Sequence, residues 1–410
     1  MTIKELAFSV QQHLQASVGV PVKRGHVYEL LAASFGFKSY AAFSTVALLS
    51  DSGVGASVPT LRPEVVGRSV QLGYAQNEGA AITTELISYA ARRALSYVEW
   101  RDIRAALVPS TLVEEDEAED EDDIDDWEDE ADSDDGSDDP SERSGIQLSS
   151  LHASPLLIEG LERAAAGNDA LAHFVLAAVN RCELPNSYLY EESLKGRKLT
   201  AIEQRWADEY IRNKPRFEKY VHHLRHAATN GVRAAALEFA EVFRDPQFFA
   251  IAEACQGVAD AKRMAKVAAR LGDRDAQRRW LRVAAEEGSS SALQELGDYG
   301  DAWALRTLAE SGDVDAIRQL AERAVETDLR EAWMWQYVAK RMGTDLTRSS
   351  LRAYHDGGLY DGQDYDDDQG GPLYVAGDEG LQLTPLSPPE DRAARRMAHE
   401  LFSAMKNSRR

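Results

Sequence analysis

Two groups of residues in this chain have the types and spacing to bind a metal ion. Glu218, His222 and His226 recur every four residues, so on a helix all three project from one face, a spacing able to hold zinc. The residue after His222 is His223, however, where a zinc metalloprotease places its glutamate. A polar helix surface near Arg225 is therefore the expectation there. Asp364, Asp366 and Asp368 match the first three ligand positions of a calcium loop. The sixth position is Gln369 instead of Gly, and the twelfth is Val375 instead of Glu, so the loop is not an EF-hand. These three carboxylates stand as the metal candidates, for a looser divalent-cation site.

Other reactive constellations are missing from the sequence. It contains no Gly-x-Ser-x-Gly and no phosphate-binding Gly-x-x-x-x-Gly-Lys, and Gly53-Val54-Gly55 lacks the third glycine of a dinucleotide loop. Cys182 and Cys255 are the only cysteines, far apart and outside any Cys-x-x-Cys spacing, which argues against a disulfide framework or a zinc ribbon. The expectation is a chain that is not an enzyme, has no cofactor and works in a reducing cytoplasm. With 44% hydrophobic residues it can bury a core, and it has no apolar run of the roughly 18 to 20 residues a membrane helix needs.

The net charge of -23 belongs mostly to one segment. Glu114 to Glu142 holds 20 acidic residues and no Lys or Arg, leaving 49 acidic against 46 basic elsewhere. Such a run repels itself and cannot offset its ordering entropy by burial, so 111–147 is expected to be a disordered acidic linker. Trp127 and Ile124 inside it leave a second possibility, docking on a basic groove.

Before the linker, residues 1–110 read as an N-terminal helical module. Ile3, Leu6, Ala7, Val10 and Leu14 form one apolar helical face, and Val27, Leu30, Leu31 and Phe35 a second, closed at Gly36. Ser39 is placed to cap a third helix that carries Tyr40, Phe43, Ala47 and Leu48. The run from His26 to Phe43 resembles small bacterial helical modules labelled glyoxalase-related. That resemblance implies no glyoxalase chemistry, since the stretch lacks a set of His and Glu ligands. A DNA-reading helix–turn–helix is the alternative, yet residues 1–113 carry ten Lys/Arg against eight Asp/Glu, which is no basic footprint for nucleic acid.

After the linker, a beat of Gly-x-x-x-Ala recurs at Gly257/Ala261, Gly272/Ala276, Gly288/Ala292 and Gly312/Ala316, in steps of 15, 16 and 24 residues. Each glycine is expected to close a short helix and each alanine to let the next one pack closely. Helices this short are marginal alone and must stack on neighbours. The phrases starting at Glu162, Arg225, Arg282 and Leu308 resemble the Ala-Ala-x-x-Gly-x-x-x-Ala junction of Sel1-like and tetratricopeptide repeats. The resemblance spans about 155–340 and implies an α-solenoid that holds other proteins. Residues 183–220, with Pro185 and Pro215, interrupt it as an insertion.

The expected fold is thus all-α: the N-terminal module, the linker, a repeat domain over 148–355, an acidic loop and β-hairpin over 356–388, and a terminal helix over 389–410. The hairpin is expected to pair Leu373-Tyr374-Val375 with Leu381-Gln382-Leu383, and the terminal helix to bury Met397, Leu401 and Met405. The expected role is a protein-binding adaptor or scaffold with a protein partner and no membrane. Contact candidates are the large side chains Trp280, Trp303, Trp333 and Trp335, although an aromatic in an Ala-rich array also fills gaps between helices. Trp333 and Trp335 lie two apart, so one helix cannot turn both squarely into a core. One of the pair is expected at the surface.

Overall fold

The computed structural model describes residues 1–51, 53–55, 63–107, 151 and 153–408; the acidic segment 111–147 lies outside them. Among the described residues the chain is mostly helical, as expected, with nineteen helices and two small two-stranded sheets, of which only one, near the C-terminus, was expected. It divides into two compact units, Met1–Gln256 and Gly257–Arg410. Among the described residues no helix is long and apolar enough to cross a membrane.

In the first unit, α1 (Ile3–Val18) begins with a capping box of Thr2 and Glu5 and ends at left-handed Gly19. Its five periodic apolar residues, Ile3 to Leu14, are all buried. The second helix, α2 (Arg24–Ser34), buries Val27, Leu30 and Leu31 beside them. Ser39 caps α3 (Tyr40–Val46) by accepting from the Ala42 N–H. Ala47 and Leu48 do not extend that helix. They open strand β1 (Ala47–Ser50), whose four residues are all buried and which no single helical face could bury. After α4 (Pro63–Gln71) and α5 (Gln76–Arg92), strand β2 (Ser96–Glu99) pairs antiparallel with β1, Leu48 opposite Val98, and α6 (Trp100–Leu107) follows.

The core then continues beyond the acidic segment. Leu157 and Leu161 of α7 (Pro155–Ala166) pack with Leu48, Val98 and Ile103, so the composition boundary at 148 does not coincide with a boundary of the core. Gly160 makes this contact possible: a Cβ there would lie 3.2 Å from Leu48 Cδ2. Next come α8 (Ala170–Asn180), α9 (Tyr188–Leu194) and α10 (Ala201–Thr229), a helix of 29 residues that contains Pro215. The unit closes with α11 (Arg233–Phe243) and α12 (Pro246–Ala254).

The second unit is a succession of short helices: α13 (Ala261–Leu271), α14 (Arg274–Glu286), α15 (Ser290–Asp298), α16 (Ala302–Ser311), α17 (Val314–Thr327) and α18 (Leu329–Met342). Each packs against the next in sequence. The connections share one geometry. Gly272, Gly288, Gly300 and Gly312 take positive φ of 78°, 100°, 75° and 97°. The following Asp273, Ser289, Asp301 or Asp313 is an N-cap accepting from the N–H of Ala276, Ala292, Ala304 or Ala316, and all four alanines are buried. Gly300/Ala304 was missing from the beat read in the sequence, and it divides the 24-residue step into two of 12. At Gly257 the geometry differs, because the N-cap is Asp260 and Ala261 is the first helical residue.

Strand β3 (Arg352–His355), a 3-10 turn at Gly358–Tyr360 and strand β4 (Leu373–Ala376) follow, before α19 (Pro388–Ser408). Leu373-Tyr374-Val375 pairs with β3, Tyr374 opposite Tyr354, and not with Leu381-Gln382-Leu383 as expected. Leu381 is drawn off to the α17–α18 core, and its N–H donates to the Leu346 carbonyl at 2.8 Å. On α19 the buried stripe is Ala394, Ala398 and Met405, with Leu401 packed beside it. Met397 is exposed, because the small alanines admit α18 more closely than a methionine would.

Candidate functional site

The four tryptophan candidates of the second unit divide by burial. Trp335 is wholly buried among Met334 and Val338, and its Nε1 faces Glu331 Oε1 at 3.4 Å. Trp333 is partly buried against the same core and donates from Nε1 to the Thr384 carbonyl at 2.9 Å. The pair splits, but its outer member is tied to the segment leading into α19. Trp280 and Trp303 are partly buried against the core of α13 to α16. The Arg282 guanidinium covers Trp303 at 3.5 Å from the ring centroid, while Glu286 at 2.8 Å and Asp301 at 3.7 Å hold that guanidinium. Exposed apolar side chains on α14 and at the end of α15 are instead Val283 and Tyr299.

In the first unit, Trp206 was not among those candidates, yet it is 54% exposed on α10, one turn after exposed Ile202. Tyr188 and Leu194 on α9 are exposed as well. Ala207 and Tyr210 form the buried face of this part of α10. Spacing alone offers two apolar pairs, Ile202/Trp206 and Ala207/Tyr210, and only the packed neighbour decides which turns inward.

Glu218, His222 and His226 do share a face of α10, as their spacing predicted, and with Phe217, Val221 and Arg225 they line an open groove of about 450 Å³. The sequence offered no signal for the residue that organises this face, His173 on α8, fifty residues away. Its ring stacks on His226 with centroids 5.0 Å apart, and its Nδ1 lies 2.9 Å from His223 Nδ1. His173 Nε2 is 3.1 Å from the Ala165 carbonyl, which can only accept, so Nε2 carries the proton. In the neutral ring Nδ1 is then the acceptor, and His223 donates to it from Nδ1. Burial first, then the nearby His173, His222 and His226, push His223 down to about 4. His173 is lowered as well, by burial and by His226. Two neutral rings sharing one proton form a packed polar contact. Among the described residues, no three or more His, Cys, Asp or Glu side chains are gathered to hold a metal ion.

The acidic loop is built as a turn. Asp364, Asp366 and Asp368 are all exposed. Asp366 accepts from the Asp368 N–H at 3.0 Å, and its own N–H donates to His355 Nε2 at 3.1 Å. Asp364 lies 3.8 Å from Arg352 and bridges to Tyr354 on β3. The loop is therefore folded back onto β3 by its main chain and by the Asp364 carboxylate. No protein-family model, no curated protein and no solved structure matches this chain.

Proposed function

We propose that this chain is a non-catalytic scaffold that binds other proteins, with its second unit acting as a Sel1-like α-solenoid in the cytoplasm. The observation that carries the reading is the repeated connection of left-handed glycine, capping Asp or Ser, and buried alanine at Gly272, Gly288, Gly300 and Gly312. One connection used again and again stacks short helices that each depend on the next, and such stacks present an extended surface fit to hold a partner. The exposed Val283 and Tyr299 lie on that succession, and Ile202 and Trp206 offer a further apolar anchor in the first unit. In this reading the acidic segment is a solvated spacer.

The test is to place a photo-crosslinking residue at Val283 or Tyr299 of the full-length protein in cells, with exposed Lys262 as a control position. Discrete crosslinked partners at the first two positions and not at the third are expected. Identical patterns at all three, or none, would overturn the reading.

A further inference from the structure

We infer that the outer edge of β4 is a docking site for an extended, basic segment of another protein, added as a further strand. The inference rests on the protein-binding reading and names a site and a partner chemistry for it. Ser350 donates to the Asp378 carbonyl at 2.9 Å and Asp356 to the Pro372 carbonyl at 3.0 Å, flanking the pairs Arg352/Ala376 and Tyr354/Tyr374. Bonded pairs alternate along an antiparallel ladder, so the main-chain groups of Leu373 and Val375 point away from β3. The far side of β3 is already occupied: His355 donates to Gln363, Gly362 to His355, and Tyr365 to Ala353, at 3.0, 3.1 and 2.8 Å. Among the described residues nothing donates to or accepts from the outer edge of β4. That strand also exposes Leu373 by 43%, Tyr374 by 43% and Val375 by 58%. An uncovered apolar edge is a template for strand addition.

Charge selects the occupant. Between Arg352 and Glu379 the chain carries eight exposed carboxylates, from Asp356 to Glu379, against Arg352 alone. The chain's own acidic segment, 114–142, has the wrong sign for this edge. A second copy of β4 would bring an identical acidic rim, within about 10 Å, the screening length at 0.1 M salt. A strand rich in Lys and Arg is attracted instead. Its alternate residues lie on the two faces: apolar side chains beside Leu373 and Val375, cationic ones over the stacked rings of Tyr354 and Tyr374, whose centroids are 5.5 Å apart.

The probe is a labelled peptide of alternating Lys and Val, titrated by anisotropy with full-length protein; an alternating Glu and Val peptide is the control. Binding is expected for the Lys peptide only, weakening as salt rises from about 50 to about 300 mM. Val375→Pro removes an outward N–H while sparing the β3 ladder, and should weaken binding about tenfold. Asp356→Asn, Asp367→Asn and Asp368→Asn together leave the edge intact and should weaken it through charge alone. Equal binding of the Glu peptide, or unchanged affinity in both variants with unaltered circular dichroism, overturns the proposal. So does a dimer of the parent protein, seen by sedimentation, that Val375→Pro dissociates, since the edge would then belong to a second copy. If crosslinking at Val283 and Tyr299 is found while the Lys peptide fails to bind the parent protein, the scaffold reading stands and only the edge site falls.

Discussion

His173 and His223 share a single proton between Nδ1 atoms 2.9 Å apart, a contact that couples α8 to α10. With both rings charged, two donors would face each other. Burial, and after it the neighbouring His173, His222 and His226, hold His223 down at about 4.

A pH dependence follows, with a definite sign. Unfolded, His223 protonates near its ordinary value of 6.5, whereas folded it stays neutral down to about 4. The unfolded state therefore binds more protons in that window, and stability falls as pH drops through it, levelling below about 4. Allowing for partial solvent screening, the loss is about 2 kcal/mol. Urea unfolding by circular dichroism at stepped pH values should show it. His223→Asn keeps a donor near the Nδ1 position and cannot titrate, so its slope over this window should be visibly flatter. A parent and a variant with equal slopes would remove the assignment.

A second prediction concerns Glu238 on α11. Its side chain is 9% exposed and accepts two bonds from Arg181, at 2.9 and 2.6 Å, and one from the Tyr220 hydroxyl at 2.7 Å. Arg181 is 58% exposed, so the two partners should not be equally costly to remove. Arg181→Met strands a buried carboxylate and should cost about 2 to 3 kcal/mol, while Glu238→Gln leaves a solvated guanidinium and a polar acceptor and should cost about 1 kcal/mol. A double-mutant cycle from urea midpoints reads the difference. Removing both charges, with Met at 181 and Gln at 238, should recover part of the Arg181→Met loss.

These sites show where the sequence was legible. The periodic face of α1 and the N-cap at Ser39 are local features, set by side chains within one or two turns, and they fold as read. Ala47-Leu48 and Leu373-Tyr374-Val375 depend on which distant strand is available, and neither β2 nor β3 announces itself in four residues. His173 belongs to the same class: nothing within its own helix connects it to His223, and only the packing of α8 on α10 does. Gly300 is a local feature too, since Asp301 and Ala304 complete the same junction as at the other three glycines.

That junction supports a third prediction, which separates conformation from space. At Gly272, φ is +78° and an added Cβ meets nothing within 4 Å, so Gly272→Ala should cost about 1 kcal/mol through backbone strain alone. At Gly297 an added Cβ would stand 2.7 Å from Leu308 Cδ1, and Gly297→Ala should cost about 2 kcal/mol through overpacking. Asp273→Ala, removing the cap on Ala276, should cost about 1 kcal/mol. Hydrogen exchange distinguishes the three: Gly272→Ala and Asp273→Ala should raise exchange first at the start of α14, Gly297→Ala across α15 and α16. Uniform exchange changes in all three would mean the junctions are not local units.

The last prediction asks what Arg282 does for Trp303. If the guanidinium, 3.5 Å from the ring, covers the indole as part of the packing, then Arg282→Met and Trp303→Leu should be coupled by about 1 kcal/mol in a double-mutant cycle. Arg282→Lys should recover less than half of that coupling, because a lysine cannot lie flat on the ring while also bridging to Glu286 and Asp301. The alternative is that Trp303 is a binding anchor and Arg282 only a neighbour. Then Trp303→Leu would leave the urea midpoint nearly unmoved and abolish crosslinking at Tyr299. The packing account requires the reverse order of effects, a lowered midpoint with crosslinking retained at temperatures where the variant is folded. Measuring both quantities on one variant decides between them.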